Sequence, residues 1–334
     1  MQTNRRIVLA ARPTGLPVAT DFRLEEAPLP QPGEGEILVR TQFLSVDPYM
    51  RGRMNKGASY APGVALGEVM VGGTVGVVVA SRHASFAEGD IAQTHSGWQE
   101  YGLARGDEAR KVDAELAPIS TSLGVLGMPG ITAWAGLLEV TQPQAGETVV
   151  VSGAAGAVGS LVGQIARIMG CRAIGIAGSD TKVSHVTDEL GFDGAFNYKT
   201  TADHGATLGE LCPDGVDVYF DNVGGVISDA VIPHMNINGR ISVCGQISQY
   251  NLQAPELGPR LTWHFIVKRL RMRGFLVFDF EAQYAEALQA LSNWVKDGRL
   301  SFRQDIVVGL EQAPSAFIGM LTGDNIGKRL VQIV

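Results

Sequence analysis

The segment that decides the fold reads TVVVSGAAGAVGSLVGQIARIMG over residues 148–170. The apolar run Thr148–Val151 has the length of a buried strand, and a glycine-rich turn over 153–159 follows it at once. Apolar residues then recur at spacings of three and four from Val158 to Met169, which predicts a helix that ends near Gly170. Such a turn lets backbone N–H groups and a helix N-terminus meet a diphosphate. The pattern predicts a dinucleotide-binding turn, with a plain strand-to-helix turn as the alternative.

Strands and helices continue to alternate after this turn. Apolar runs of strand length occur at Ala173–Ala177, Ala195–Tyr198, Asp217–Phe220, Arg240–Cys244 and Arg273–Phe278, and helical patterns cover about 180–190 and 281–298. Six strands that alternate with helices favour a parallel sheet covered on both faces. The sequence therefore predicts a doubly wound α/β domain.

The N-terminal part differs from this domain. Residues 1 to about 125 are rich in Gly and Pro, with short apolar runs such as Ile37–Val39 and Val75–Val79, and they predict mostly β structure. Near the C-terminus, strand-like segments at Leu300–Val308 and Lys328–Val334 flank a short helix around Gln312–Leu321. We expect this tail to fold back onto the β domain. The predicted domains are 1–125 completed by 300–334, and 126–299, with the active cleft between them.

Composition excludes several classes of protein. The 334 residues carry 27 Lys+Arg against 34 Asp+Glu, a net charge of −7, whereas nucleic-acid-binding proteins concentrate basic residues on one face. No segment approaches the roughly 18 apolar residues of a membrane-spanning helix, and the N-terminal apolar run is too short for a secretory signal. Three cysteines cannot build a disulfide framework. We expect a cytoplasmic protein that binds neither nucleic acid nor membrane.

The end of the second strand bears on which dinucleotide binds. NAD sites place a carboxylate there for the ribose hydroxyls, whereas NADP sites place cationic or small polar groups around the 2′-phosphate. Asp180 suits the NAD acid or, equally, a helix N-cap. Lys182 suits a phosphate contact or a solvated surface lysine. The spacing favours NADP and leaves NAD open.

Candidates for the chemistry are tyrosines rather than metal ligands. The N-terminal part has no cysteine and only two histidines, whereas catalytic zinc needs three Cys, His or carboxylate ligands, so we expect no metal. Loops beyond the C-terminal ends of parallel strands line the ligand crevice, which places Asn222, Gly245 and Tyr250 near a cofactor. A tyrosine there can donate a hydrogen bond to a carbonyl oxygen that gains charge, or pass a proton. Tyr49, Tyr60 and Tyr250 are the candidates, and a half-buried packing role is the alternative for each.

Several motifs in a fixed order resemble one family. They are SVDPYMRG at 45–52, MPG at 128–130, GAVG at 156–159, AGS at 177–179, FDNVGG at 220–225, CGQISQYN at 244–251 and GDNIGK at 323–328. Over residues 4–334 the chain resembles the zinc-independent medium-chain dehydrogenases/reductases that include prostaglandin reductases (leukotriene B4 12-hydroxydehydrogenases), 2-alkenal reductases and bacterial curcumin reductases. Its opening and residues 28–53 are most similar to the curcumin-reductase branch.

The resemblance implies a GroES-like β domain joined to a Rossmann domain, in a homodimer. It implies NADPH-dependent reduction of the C=C bond of α,β-unsaturated ketones and aldehydes, by hydride transfer to the β-carbon and protonation of the enolate, without a metal. The family's cofactor contacts fall on Gly156, Ala157, Val158, Gly159, Gly178, Ser179, Lys182, Tyr198, Asn222, Cys244, Gly245, Gln246, Ile247, Ser248, Tyr250, Phe275, Leu276, Val277 and Asn325.

The resemblance also implies substrate contacts. They fall on Tyr49, Tyr60, Met128 and Tyr250, with Tyr250 as the candidate catalytic residue. The segment Phe278–Phe280 departs from many relatives, which leaves the substrate preference open. The alternative functions are an NADPH:quinone reductase of the same fold and a non-enzymatic NADPH-binding protein.

Overall fold

The computed structural model describes residues 3–57 and 59–333. Residues 1, 2, 58 and 334, which fall within the predicted domain ranges and the predicted strand Lys328–Val334, lie outside the described residues. The chain divides into two compact units. The first comprises the residues up to Gly124 together with those from Gln304 onward, and the second is Val125–Arg303.

The strands and helices have the following bounds in chain order. The strands are β1 (Thr3–Leu9), β2 (Phe22–Pro28), β3 (Glu36–Ser45), β4 (Thr74–Ser81), β5 (Ile91–Thr94), β6 (Tyr101–Arg105), β7 (Arg110–Lys111), β8 (Thr148–Ser152), β9 (Arg172–Ala177), β10 (Gly194–Asn197), β11 (Val216–Asp221), β12 (Met235–Val243), β13 (Arg271–Gly274), β14 (Gln304–Val308) and β15 (Lys328–Gln332). The α-helices are α1 (Tyr49–Arg53), α2 (Met128–Trp134), α3 (Gly159–Ile168), α4 (Asp180–Ser184), α5 (His204–Leu211), α6 (Gly225–Val231), α7 (Thr262–Lys268), α8 (Tyr284–Lys296) and α9 (Ala313–Thr322). Helices α2 and α4 each continue as a π-helical turn, Ala135–Glu139 and His185–Glu189.

A parallel six-stranded sheet forms the centre of the second unit. Its order is β10-β9-β8-β11-β12-β13, and every neighbouring pair is parallel. Side chains of a strand alternate between its faces. Accordingly Val149, Val151 and Phe220 pack in one buried cluster, and Val150 and Tyr219 pack in another. Both faces of the sheet are therefore covered, and the predicted doubly wound α/β architecture is confirmed.

The sixth strand is shorter than the sequence predicts. The apolar run Arg273–Phe278 predicts one strand, but β13 ends at Gly274 and a 3₁₀ helix begins three residues later. The N–H of Leu276 donates to the side chain of Asp279 at 3.0 Å, which turns the backbone away from the sheet. The ring of Phe275 packs edge-on against two other buried aromatic rings. The prediction of one continuous strand over this run is therefore wrong, because the chain turns after Gly274 and buries the ring of Phe275 in that turn.

The first unit consists of mostly antiparallel sheet. Strands β14-β15-β3-β4-β5-β7 form one sheet with β6 also paired to β3, and β1 pairs with β2. Strand β15 is antiparallel to β3, with Leu330 opposite Ser45, so the C-terminal tail lies in the sheet of this unit. The short helix α1 after Pro48 was not predicted. Among the described residues, no helix combines the length and apolar character needed to cross a membrane.

Candidate functional site

The glycine turn lies at the C-terminal end of the central strand β8. Gly153 has a φ of +62°, and its carbonyl accepts the N–H of Gly156 at 3.0 Å. A Cβ on Gly159 would lie 2.3 Å from that carbonyl oxygen, so only glycine lets α3 begin this close to the strand. Gly156, Ala157 and Val158 are half-buried, which leaves this part of the turn accessible to a ligand.

A buried carboxylate shapes the loop after the neighbouring strand β11. Asp221 is 4% exposed. It accepts hydrogen bonds from Ser152 Oγ (3.0 Å), Tyr219 OH (2.8 Å), Val223 N (3.0 Å), Gly224 N (2.9 Å) and Ser228 Oγ. Asn222 donates from its side chain to the carbonyl of Ser152 at 2.7 Å. Asn222 is therefore fixed between β8 and β11, where the strand order of the sheet changes direction and ligands bind in this architecture.

The first turn of α4 follows the end of β9. The hydroxyl of Ser179 accepts the N–H of Lys182 at 3.3 Å, so Ser179 is the N-cap of the helix. Asp180 is the first helical residue, and the interpretation of Asp180 as the N-cap is wrong. Its Oδ1 accepts a hydrogen bond from Asn197 Nδ2 at 2.8 Å. The carboxylate is thus hydrogen-bonded to the last residue of β10.

Gly178 lies against the residues that follow β10. A Cβ on Gly178 would lie 3.1 Å from the ring of Tyr198 and 3.5 Å from Cε of Lys199. Gly178, Tyr198 and the capped turn with Lys182 therefore form one group of predicted cofactor residues. Lys199 lies beside Gly178 as well. Sequence reasoning missed it, because a single exposed lysine after a strand carries no pattern.

The loop after β12 folds Tyr250 back toward its own start. The hydroxyl of Tyr250 accepts the N–H of Gln246 at 3.4 Å, and a Cβ on Gly245 would lie 3.2 Å from the same oxygen. The N–H of Ile247 donates to the carbonyl of Asn222 at 3.2 Å. The loop over 244–250 is therefore tied to the loop after β11, with the phenol at the C-terminal edge of the sheet.

Two of the predicted cofactor contacts, Cys244 and Phe275, can interact with a ligand only in limited ways. Burial, and after it the nearby carboxylate of Asp221, raises the pKa of Cys244 to about 12. The thiol therefore stays protonated near neutral pH and is a poor nucleophile. Phe275 is 9% exposed with its ring in the core, so it can reach a ligand only through its main chain. Leu276 is 37% exposed and Val277 is half-buried.

The remaining predicted residues divide between the two units. Burial and then the carboxylate of Asp47 raise the pKa of Tyr49 well above its usual value, and burial also raises the pKa of Tyr60. Both phenols are therefore neutral at physiological pH. Asn325 Nδ2 donates to the carbonyl of Gly327 at 2.7 Å. These three predicted residues belong to the first unit, whereas Met128 begins α2 in the second.

The two histidines of the first unit lie in different surroundings. His83 Nε2 lies 2.9 Å from Asp107 Oδ1, and burial lowers the pKa of His95. Within 3–57 and 59–333, no group of three or more His, Cys, Asp or Glu side chains is arranged to hold a metal ion.

Two family models match the chain, one in each part. Residues 5–112 match the model described as the N-terminal domain of oxidoreductase. Residues 157–293 match the model described as zinc-binding dehydrogenase. The second match begins within the glycine turn and spans the Tyr250 loop.

Named relatives cover nearly the whole chain. The chain is 46% identical to the NADPH-dependent curcumin reductase of Escherichia coli (strain K12), over 99% of this chain and 97% of that protein. It is 42% identical to the NADP(+)-dependent 2-alkenal reductase of Nicotiana tabacum (99% and 98% covered) and 44% identical to prostaglandin reductase 1 of Rattus norvegicus (95% of each). The crystal structure of CurA from Vibrio vulnificus in complex with NADPH is similar with a TM-score of 0.94 at 46% identity, covering 99% of each chain. The chain therefore belongs to the medium-chain dehydrogenase/reductase family of curcumin, 2-alkenal and prostaglandin reductases.

Proposed function

We propose that this protein uses NADPH to reduce the C=C bond of α,β-unsaturated ketones and aldehydes. Two of its relatives are named for reducing curcumin and 2-alkenals, which are conjugated carbonyl compounds. The strongest support within the chain is the position of the Tyr250 hydroxyl. It lies in a loop hydrogen-bonded to Asn222, at the edge of the sheet that also carries the glycine turn.

The residues of the second unit fit NADPH. The turn over 153–159 offers backbone at the start of α3, which suits a diphosphate. Gly178 with Lys182 beyond it offers small and cationic groups for a 2′-phosphate. Asp180, the residue that could have favoured NAD, is held by Asn197. These features favour NADPH over NADH.

Tyr250 is the proposed catalytic residue. When bound, NADPH supplies the hydride that adds to the β-carbon of the substrate. The C=C electron pair moves toward the carbonyl oxygen, which becomes an enolate oxygen, and the Tyr250 hydroxyl donates a hydrogen bond to it. Since the N–H of Gln246 already holds the phenolic oxygen, this donor is in place before charge develops, and such a donor is worth about 3–4 kcal/mol at the transition state. A proton from Tyr250 or from water then reaches the α-carbon. These steps use no metal ion.

Tyr49, Tyr60 and Met128 are the proposed substrate contacts besides Tyr250. Aromatic rings and a thioether suit a flat conjugated ligand. Their raised pKa values keep Tyr49 and Tyr60 neutral, so neither phenol repels a developing enolate. Phe278, which is 64% exposed, is the residue of the divergent segment available to bias substrate choice.

Turnover with a panel of acceptors tests the proposed function. NADPH oxidation is measured with trans-2-alkenals, enones, curcuminoids and a simple quinone, and the products are identified by mass spectrometry. With NADPH deuterated at the transferred position, we expect deuterium on the β-carbon of a saturated carbonyl product. Turnover of the quinone alone would instead identify a quinone reductase. Tight NADPH binding without turnover of any acceptor would identify a non-enzymatic binding protein.

We further propose a cytoplasmic homodimer that binds no nucleic acid. Strand β13 is the last in its sheet, and an edge strand offers its backbone to a second copy. Exposed apolar side chains accompany it, with Trp263 67%, Ile266 68% and Met272 47% exposed. Light scattering should give twice the monomer mass. Trp263→Lys should give monomers, whereas Leu116→Lys in the first unit should not.

The net charge of −7 supports the absence of nucleic acid.

A further inference from the structure

One side chain connects the two strand ends beside Gly178. Asn197 is the last residue of β10 and is 9% exposed. Its Nδ2 donates to Asp180 Oδ1 at 2.8 Å, and its Oδ1 accepts the N–H of Lys199 at 3.0 Å. Both functional groups of the amide are thus used. Asn197 therefore fixes the first turn of α4 and the start of the segment after β10 with respect to each other.

This bridge determines where Lys199 lies. Because its N–H is held by Asn197, its aliphatic chain runs beside Gly178, with Cε 3.5 Å from the position of a Cβ there. The ring of Tyr198 lies against the same glycine, with a ring carbon 3.1 Å from that position. Lys199 is exposed and, like Lys182, close to the end of β9. Lys199 and the phenol of Tyr198 thus lie beside Gly178, and Lys182 is in the first turn of the helix that follows this glycine.

We propose that Lys199 binds the 2′-phosphate of NADPH and that Asn197 is its positioning residue. This inference rests on the proposed NADPH-dependent function. A phosphate monoester carries close to two negative charges at neutral pH, which the ammonium of Lys199 helps to neutralise in addition to that of Lys182. Asn197 has a second effect, because its hydrogen bond engages the carboxylate of Asp180. One oxygen of that carboxylate is thereby committed to the Asn197 amide rather than to a ribose 2′-hydroxyl, as in an NAD site, and the amide N–H partly offsets its charge near the phosphate.

Binding of nucleotide fragments tests the role of Lys199 without any catalytic step. Calorimetry gives the Kd of 2′,5′-ADP, which carries the 2′-phosphate, and of 5′-AMP, which lacks it. We expect Lys199→Met to weaken 2′,5′-ADP about 10-fold, the size of one charge-assisted hydrogen bond at an exposed site, and to leave 5′-AMP within about 2-fold. Lys296→Met, which removes another exposed lysine of the same unit, should change neither.

The outcomes separate this inference from the proposed function. If the unaltered protein binds 2′,5′-ADP no tighter than 5′-AMP, NADPH preference itself is wrong. If it discriminates between them and Lys199→Met discriminates equally well, Lys199 is not a phosphate contact.

Asn197 requires a different experiment, since its loss could simply loosen the fold. Asn197→Ala should weaken the binding of 2′,5′-ADP more than that of 5′-AMP. The substitution removes the hydrogen bond to the Asp180 carboxylate and the one that accepts the N–H of Lys199. Adding Asp180→Ala removes the released charge and should restore part of the discrimination. If Asn197 had only a structural role, the double variant would discriminate between 2′,5′-ADP and 5′-AMP no better than Asn197→Ala does. That result would overturn the positioning role. Circular dichroism checks that each variant is folded.

Discussion

The hydroxyl oxygen of Tyr250 lies 3.4 Å from the backbone nitrogen of Gln246 and accepts its N–H, above a glycine at position 245. This bond uses a lone pair of the phenolic oxygen and not the hydroxyl proton. A phenol held in this way has a fixed oxygen. Its position in the loop after β12 is the structural basis of the catalytic role proposed for Tyr250.

Tyr250→Phe should lower kcat by at least about 10-fold, equivalent to about 1.4 kcal/mol, since it removes only the hydroxyl that donates to the enolate oxygen. The ring remains, and the loop keeps the hydrogen bonds that Ile247 N and Ser248 N donate to the loop after β11, so the Kd of NADPH, followed by its fluorescence, should stay within about 2-fold. Steady-state kinetics with a trans-2-alkenal provide the measurement. An unchanged kcat would remove Tyr250 from the catalytic role.

Gly245→Ala tests whether the position of that hydroxyl matters. The added Cβ would lie 3.2 Å from the Tyr250 oxygen and 3.4 Å from the carbonyl oxygen of Asn222, and the flexible phenol is the group that must move. We expect kcat to fall about 3- to 10-fold, which is 0.7–1.4 kcal/mol. Gly209→Ala in α5, where the nearest atom is 3.7 Å away, is the matched control and should keep full activity. Equal kcat values for the two variants would contradict the requirement for a fixed phenol.

The sequence predicts the second unit well, because periodicity and glycine turns report on local geometry. Thr148–Val151 and the turn after it lie where the apolar run and the glycines place them. The run ending at Phe278 misleads, because an apolar run is equally compatible with a strand and with a buried turn. The side chain of Asp279 decides between them by accepting the N–H of Leu276.

The candidate site is predictable only where a local pattern exists. Gly153 and Gly159 can be recognised from their spacing, and the loop residues Asn222 and Tyr250 from their place after strands. By contrast, the contact between Asn197 and Asp180 joins residues 17 positions apart in sequence, and no periodicity reports it. Whether Asp180 serves a nucleotide or a neighbouring amide is therefore decided by tertiary structure.

A buried ion pair in the first unit leads to a prediction about stability. Lys328 Nζ donates to Asp47 Oδ1 at 2.8 Å and to the carbonyl of Val46 at 2.8 Å, and the two side chains are 5% and 7% exposed. Lys328→Met leaves the carboxylate buried without its cation and should lower the free energy of unfolding by about 3–5 kcal/mol. Adding Asp47→Asn should recover part of the loss. Urea unfolding measures both, and a loss below about 1 kcal/mol in the single variant would contradict the coupling.

The bidentate pair between Arg240 and Glu147 predicts how stability depends on pH. The pair joins β12 to the residue before β8 at 2.8 and 2.6 Å, with side chains 12% and 23% exposed. Burial raises the pKa of Glu147, but the hydrogen bonds from Arg240 and from the N–H of Gln144 outweigh it and hold that pKa below its usual value. A carboxyl whose pKa is lower in the folded state stabilises the protein above its unfolded pKa, and this contribution is lost as the pH falls through the folded pKa. Glu147→Gln should therefore cost about 1–2 kcal/mol at pH 7 and progressively less below about pH 4.5, as measured by urea unfolding across the pH range. The exposed Glu210→Gln is the control, and a cost for Glu147→Gln that is the same at pH 7 and at about pH 3 would contradict the assignment.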